Sequence, residues 1–397
     1  MSRNVAIVGA AAIPCGRHQK APGDRVQVLE HEVLAGVVLD AVRDAGVSKD
    51  DVDALFFTHP RPYTRQLYFG TFLASYLRLP CDGVLVEVVA DGMTGGLAFD
   101  QAAETVRSGR AEVALALGIN LETAVSSSEH MDRSMRATGD VEFHAPFGFI
   151  PISWYAMDAM RYLYEFNAKR EDLAMVAVKN RRHASLNPLA QYRKSVTLEE
   201  VLAQRMIVEP LGLFEVPPRS DGAACVVVAS EEAARSLGRP YVLLRGRGFH
   251  HEGVHQVSDV PGDMISFVSV QRAGKAAFEE ARIGAADVDL AEIYAPCTIV
   301  EVLVSEALGL AKRGQGAKAA AAGETSLGGR IPICTSGGLL ARGHPPFVTP
   351  LYSFVEIAEQ LRHRAGARQV GNARLGLATC ELGNHNAALI HVFEARP

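Results

Sequence analysis

No stretch of this 397-residue chain reaches the ~18 uninterrupted apolar positions that a membrane-spanning helix needs. The opening apolar run, Val5-Ala6-Ile7-Val8-Gly9, is too short and wrongly flanked for a secretory signal, so the expected location is the cytoplasm. No Cys-x-x-Cys pair and no histidine at zinc-finger spacing accompanies the six cysteines, Cys15, Cys81, Cys225, Cys297, Cys334 and Cys380. That excludes a zinc module and predicts free thiols without a metal. The net charge of -5 comes with scattered rather than clustered basic residues, which argues against nucleic acid or an anionic membrane as the main partner. Nucleotide and hydrolase signatures are missing too. Gly9-Ala10-Ala11-Ala12-Ile13-Pro14 is no G-x-G-x-x-G, and there is no G-x4-G-K-[ST] or G-x-S-x-G.

What is present is ordinary globular material, 48% hydrophobic and 21% charged, long enough for two core-bearing halves. The spacing predicts a strand over 4–10, a helix over about 26–45, strands over 54–57 and 84–90, and a helix over 97–108 closed by Gly109. A strand over 111–118 follows. Such alternation of strand, Gly-rich turn and helix argues for parallel α/β layers. Between about 120 and 218 the pattern turns polar and helical, as a long insertion that forms a substrate lid. Strands over 223–229 and 241–244, a helix over 268–282, a strand over 290–294 and a helix ending at 308 restart the alternation. Strands over 374–379 and 387–393 close it. The expected halves are 1–235 and 236–397, alike in element order but without a residue-level repeat.

Three stretches carry a family resemblance. Val178-Lys179-Asn180-Arg181-Arg182-His183-Ala184-Ser185-Leu186-Asn187-Pro188 with Ser220-Asp221-Gly222-Ala223-Ala224, the segment Ser336-Gly337-Gly338-Leu339-Leu340-Ala341-Arg342-Gly343-His344-Pro345, and the helix-start loop Asp91 to Gly96 resemble the thiolase superfamily, in its SCP2-thiolase or lipid-transfer branch. The matches span nearly the whole chain. The resemblance implies an α/β thiolase fold of five αβαβα layers built from two similar halves, usually a dimer, acting on acyl-CoA thioesters. It also implies a nucleophile at a helix N-terminus, an acid–base group at the α-carbon and an oxyanion hole.

The nucleophile departs first. The family's Cys-x-Ser-Gly falls on Gly92-Met93-Thr94-Gly95, and no Cys or Ser occurs between Cys81 and Ser108. Thr94 has a hydroxyl suited to helix capping, while Gly92, Gly95 and Gly96 either leave backbone N–H groups for an oxyanion or merely allow a tight turn. Tyr294, in Glu292-Ile293-Tyr294-Ala295-Pro296-Cys297, takes the family's His or Asn position. It resembles the tyrosine of thiolase-like aldolases that cleave steroid side chains without an acyl-cysteine. A tyrosine donates to an oxyanion, or acts as acid or base if cations lower its pKa. His344 matches the GHP histidine, which in the family donates to the thioester oxygen. Pro345-Pro346-Phe347-Val348-Thr349-Pro350 replaces the Gly-rich continuation. Cys380-Glu381-Leu382-Gly383 lies at the second-cysteine motif, so Cys380 is a candidate acid–base group or a buried thiol. Cys334 stands where an Asn is common. His183, Asn187, Gly337, Gly338, Glu381, His385 and Asn386 are candidates to line the substrate site.

Two functions stay open. One is an enzyme that makes or breaks a C–C bond beside a CoA thioester by retro-aldol or noncanonical thiolase chemistry, with Tyr294 and His344 handling the proton and the enolate oxygen and no cofactor beyond the substrate's coenzyme A. The other is a catalytically silent acyl-CoA-binding subunit. A thiolase with a relocated nucleophile such as Cys297 is a third. Family members of this type work with a small zinc-ribbon/OB-fold partner protein, which is expected here beside a homodimer.

Overall fold

The computed structural model describes residues 3–18, 28–59, 66–80, 83–253, 263–382 and 385–397. Strands β1 (Val5–Ala12), β2 (Ala54–Thr58), β3 (Val84–Glu87) and β4 (Val113–Asn120) alternate with helices α1 (Glu30–Ala45), α2 (Phe69–Leu77) and α3 (Thr94–Arg107). Then come α4 (Ser127–His130), α5 (Pro151–Glu165), α6 (Arg170–Ser185), α7 (Leu198–Leu202) and a small ribbon of β5 (Met206–Val208) and β6 (Leu211–Gly212). The chain continues through β7 (Gly222–Ser230), α8 (Glu231–Ser236), β8 (Tyr241–His251), α9 (Val268–Ala281), β9 (Leu290–Glu292), α10 (Thr298–Ala307) and α11 (Gly316–Ala321). It ends with α12 (Gly338–Ala341), α13 (Thr349–Leu361), β10 (Leu375–Leu382) and β11 (Ala387–Arg396).

The strands form one nine-stranded mixed sheet in the order β3-β2-β4-β7-β1-β8-β11-β10-β9. Its two parts repeat each other. β2 is parallel to β4, which is antiparallel to β7, which is antiparallel to β1. In the same sense β9 is parallel to β10, β10 antiparallel to β11, and β11 antiparallel to β8. The parts meet where Ala6 and Ile7 of β1 face Leu243 and Val242 of β8. A residue-level echo does exist. Gly9 on β1 lies against Ala41 and Ala45 of α1, and Gly246 on β8 against Ala277 and Ala281 of α9; a Cβ at either place would overlap the helix backbone. Two glycines far apart in an otherwise dissimilar sequence thus set the same close helix-on-sheet approach.

Three apolar cores separate the layers, and strand alternation distributes side chains between them. Leu115, Leu117 and Ile119 of β4 face α1 and α2, while Ala114 and Ala116 face the central helices α3 and α13. Ile390 and Val392 of β11 join α9 and α10 in the third core, and Leu389 and Phe393 point to the centre. Strands buried on both faces read as the continuous Val/Ala/Leu runs of β4 and β7. The two parts of the sheet thus lie on either side of α3 and α13, with α1 and α2 outside one part and α9 and α10 outside the other, which gives the five αβαβα layers.

Boundaries shift modestly. α1 begins at Glu30 rather than 26, with Val26 itself outside the described residues, as are Cys81 and Gly383. α3 opens at Thr94 instead of Leu97, β8 runs to His251 and β10 to Leu382. The 120–218 insertion divides in two. Its α6 puts Leu173 and Val176 into the third core, so this helix is scaffold, and only the earlier segment and Pro217-Pro218-Arg219 reach the cavity described next.

Candidate active site

A cavity of about 550 Å³ opens where the turn before α3 meets the ends of β9 and β10. Asp91, Gly92, Tyr294, His344 and Glu381 form its polar floor. Met131, Met135, Ile150, Pro218 and Phe347 give it a largely apolar wall. No cysteine lines it among the described residues.

The floor is built from backbone constraints. Asp91 takes a left-handed φ of 40° at the start of the single 3₁₀ turn Asp91–Met93. Thr94 locks that turn: its hydroxyl accepts from Ala90 N at 2.8 Å and donates to Asp91 O at 2.7 Å. The Thr94 hydroxyl is therefore spent on the loop rather than on capping α3. Gly92 is the decisive residue. A Cβ there would sit 2.6 Å from the Tyr294 hydroxyl oxygen and 3.0 Å from Glu381 O. The phenol fills the space in which a side chain at position 92 would begin. Gly95 faces Phe347 and Leu351 instead, away from the cavity.

Tyr294 is held by its backbone N–H, which donates to Thr379 Oγ1 at 2.8 Å, and its ring meets His344 edge-on at 5.5 Å between centroids. Burial, then the nearby Glu381 carboxylate, push its pKa well above the usual value. The lowered pKa that a tyrosine base would need is not what this site creates. Tyr294 is a neutral phenol and a hydrogen-bond donor. Burial lowers the His344 pKa to about 3, with Arg342 and His130 adding to the effect, so the imidazole is neutral. Thr349 Oγ1 lies 2.9 Å from both His344 Nδ1 and Pro345 O. The Thr349 hydroxyl donates its proton to Pro345 O, so Nδ1–H donates to Thr349 Oγ1 and Nε2 is the acceptor of the neutral ring.

Cys380 requires a correction. On a strand, neighbouring side chains point to opposite faces. Cys380 turns into the central core, where a Cβ on Gly96 would be 2.5 Å from its sulfur, and burial drives its thiol pKa far up. Its neighbour Glu381 faces the cavity instead. Glu381 accepts from Tyr155 Oη at 3.0 Å and His385 N at 3.2 Å, and His385 Nδ1 lies 2.5 Å from its carboxylate. Cys297, the relocated-nucleophile candidate, is fully buried with its thiol pKa raised, first by burial and then by Glu215.

The structure places His183, Asn187, Gly337 and Gly338 outside the lining of this cavity. His183 donates from Nδ1 to Cys334 O and accepts at Nε2 from Leu327 N, both at 3.0 Å, and its pKa falls to about 3. Asn187 donates to Ser336 O at 2.8 Å and accepts from Leu189 N at 2.9 Å. Gly337 (φ 97°) and Gly338 (φ 58°) are left-handed, and a Cβ on Gly337 would be 2.5 Å from that of Ala184. These groups form a joint that presses α6 against the turn leading to His344. Glu292 completes it, accepting from Ser336 N at 3.0 Å and Ser336 Oγ at 2.6 Å. Cys334 is left-handed at φ 55°, a conformation that Asn tolerates better.

Sequence reasoning missed Asp91, Glu122, His130, Tyr155 and Arg219 on the cavity wall. Asp91 stood inside the helix-start loop already singled out, and Glu122, His130 and Tyr155 only inside the broad 120–218 insertion.

Comparison with known proteins gives a consistent picture. The family described as Thiolase, N-terminal domain matches residues 5–232, and Thiolase C-terminal domain-like matches 246–395. An acetyl-CoA acetyltransferase of Methanothermobacter thermautotrophicus is 32% identical, the match covering 98% of this chain and 99% of that protein. A steroid side-chain-cleaving aldolase of Thermomonospora curvata is 30% identical over 91% and 92% of the two chains. Among solved structures, the Ltp2-ChsH2(DUF35) aldolase superposes with a TM-score of 0.82 at 28% identity, covering 98% of this chain and 97% of that one.

Proposed function

The chain belongs to the thiolase family, and on that footing we propose that it makes or breaks a C–C bond beside an acyl-CoA thioester by a retro-aldol route, without an acyl-cysteine. The observation that carries this reading is the Tyr294 hydroxyl seated over Gly92, where a phenol takes the room that a side chain at 92 would need. A neutral phenol suits an enolate: it donates to the oxygen or delivers the proton to the α-carbon. The neutral His344 imidazole lies edge-on beside it, and the Gly92 backbone borders the same floor. Glu381, oriented by Tyr155 and His385, takes over the acid–base place first given to Cys380. No cofactor is required beyond the coenzyme A of the substrate. The apolar wall suits a bulky acyl group.

The name of the solved aldolase pairs it with a DUF35 protein. We extend the reading to a small partner protein of that kind and to a homodimer. In support of the dimer, β3 is an edge strand, with Val86 on it and Val89 just beyond it exposed.

The test is turnover of a β-hydroxyacyl-CoA and a β-ketoacyl-CoA by the purified chain, with and without a co-purifying partner. The hydroxy ester should be cleaved without free CoA, and Tyr294→Phe should lower kcat by about 10²–10⁴-fold while the melting temperature holds. Cleavage of only the keto ester, and only with free CoA, overturns the retro-aldol reading. Binding of both esters without turnover favours a silent subunit.

A further inference from the structure

Glu122 lies just beyond β4 and lines the same cavity while being only 2% exposed. Its Oε1 accepts from Ser220 N at 3.2 Å, and its Oε2 meets no hydrogen-bond partner among the described residues. The nearest cation does not neutralise it. Arg219 spends Nη2 on two main-chain carbonyls, Glu122 O and Val125 O. Ser220 connects the acid to the catalytic floor: its N–H holds Glu122, and its Oγ accepts from His344 N at 2.9 Å. A bridge between Arg219 and His344 reinforces the link. Glu122 and His344 are thus presented to the cavity by one short segment, and a buried carboxyl oxygen without a protein partner calls for a ligand group.

We propose that Glu122 is the acid–base group for the β-oxygen of the bound thioester, leaving Tyr294 and His344 to the thioester end. This assignment rests on the retro-aldol reading, which needs a base for the β-hydroxyl in addition to the groups that serve the thioester oxygen and the α-carbon. In cleavage, the Glu122 carboxylate takes the β-hydroxyl proton, the β-oxygen forms a carbonyl, and the Cα–Cβ bond breaks. Its electron pair enters the thioester enolate, and the α-carbon then gains one proton. One proton leaves oxygen and one arrives at carbon, so no oxidant or further reactant is needed. In the condensing direction the protonated acid donates to the acceptor carbonyl.

The groups around Glu122 are Asn120 on β4, Ser220, Arg219 and Asp221 ahead of β7, and His130 on α4. Burial outweighs the hydrogen bonds and Arg219, and raises the Glu122 pKa to about 8. His130 and His344 titrate far lower, at about 4 and about 3, and Tyr294 far higher. An acid near the working pH is suited to transferring the proton in either direction.

The experiment compares the full-length wild type with Glu122→Gln, which keeps an acceptor for Ser220 N but cannot move a proton. The expected result is a fall in kcat of at least about 100-fold for the β-hydroxyacyl-CoA. The dissociation constant for a saturated acyl-CoA, which lacks the β-oxygen, should stay within about twofold. The wild-type kcat should rise with pH through about 8, and the variant should lose that limb. If Glu122→Gln does not fold by circular dichroism, Glu122→Asp replaces it, with lower kcat but the limb retained. A glutamine variant that keeps kcat within about threefold, or keeps the limb, overturns the assignment, as does an aspartate variant without the limb. The two levels of the reading separate cleanly. A wild type that cleaves the hydroxy ester alongside an equally active Glu122→Gln overturns only Glu122, whereas a wild type that does not cleave it removes the retro-aldol reading and Glu122 with it.

Discussion

The segment from Ser336 to His344 borders two polar regions with opposite habits. Behind it, toward α6, His183, Asn187, Ser336 and Glu292 find hydrogen-bond partners within the fold, and the adjoining glycines permit close contact. In front of it, the cavity collects a neutral phenol, a neutral imidazole, a carboxylate and an acid with an unpartnered oxygen. Satisfied polar groups hold a structure in place, while unsatisfied ones in a concave apolar site are available to a ligand. Variants in front should therefore lose rate before stability, and variants behind should lose stability before rate.

The largest expected effect is in front. Gly92→Ala places a methyl group 2.6 Å from the Tyr294 hydroxyl oxygen, so the phenol must move. Displacement of a catalytic group on the order of 1 Å costs about 10²-fold in rate. Steady-state kinetics and a thermal melt on the same sample should show kcat falling by that factor with Tm shifted by only a few degrees. A large Tm loss with intact kcat would place Gly92 with the joint instead.

Behind the segment, Gly337→Ala should destabilise the fold by about 2–4 kcal/mol, combining left-handed strain with overlap on Ala184. Urea unfolding measures it. The enzyme that remains folded should turn over normally when assayed below its unfolding midpoint. The fold should also be acid-sensitive on both sides of the segment. His183 and His344 have folded-state pKa values of about 3, below the ordinary 6.5. Their contribution to stability is present above about pH 6.5 and is lost as pH falls toward 3, amounting to on the order of 2 kcal/mol per imidazole by about pH 5. His183→Gln should remove one imidazole's share of that acid limb, on the order of 2 kcal/mol by about pH 5, in urea midpoints taken between these pH values. An unchanged slope would mean that His183 is charged in the folded protein.

The fold was legible because strands such as β4 and β7 carry long apolar runs and the turns between elements carry glycine. Tyr294 and His344 were legible because each sits inside a motif. Glu122, Tyr155 and Arg219 were not, since the more than 100 residues separating them along the chain from His344 or Glu381 are closed only by the packing of the insertion. His183 and Asn187 misled for a related reason: a motif shows that a polar group is needed, and only geometry shows whether protein or substrate satisfies it.

The smallest effect gives the finest test of that distinction, because it compares adjacent residues. Cys380 and Glu381 share β10, and the pleat sends the thiol into the core below Gly96 and the carboxylate into the cavity. Cys380→Ala removes one buried sulfur and should cost about 1 kcal/mol of stability, near the low end for truncating a core side chain, because little volume is lost. Its kcat for the hydroxy ester should stay within about twofold of wild type, and its pH profile should be unchanged. Glu381→Gln should behave in the opposite way, losing rate at nearly constant stability, since glutamine can still accept from Tyr155 Oη and His385 N. A Cys380→Ala enzyme that is fully stable yet slow would mean that the strand turns the other way during catalysis, and the boundary between core and cavity would then run on the other side of residue 380.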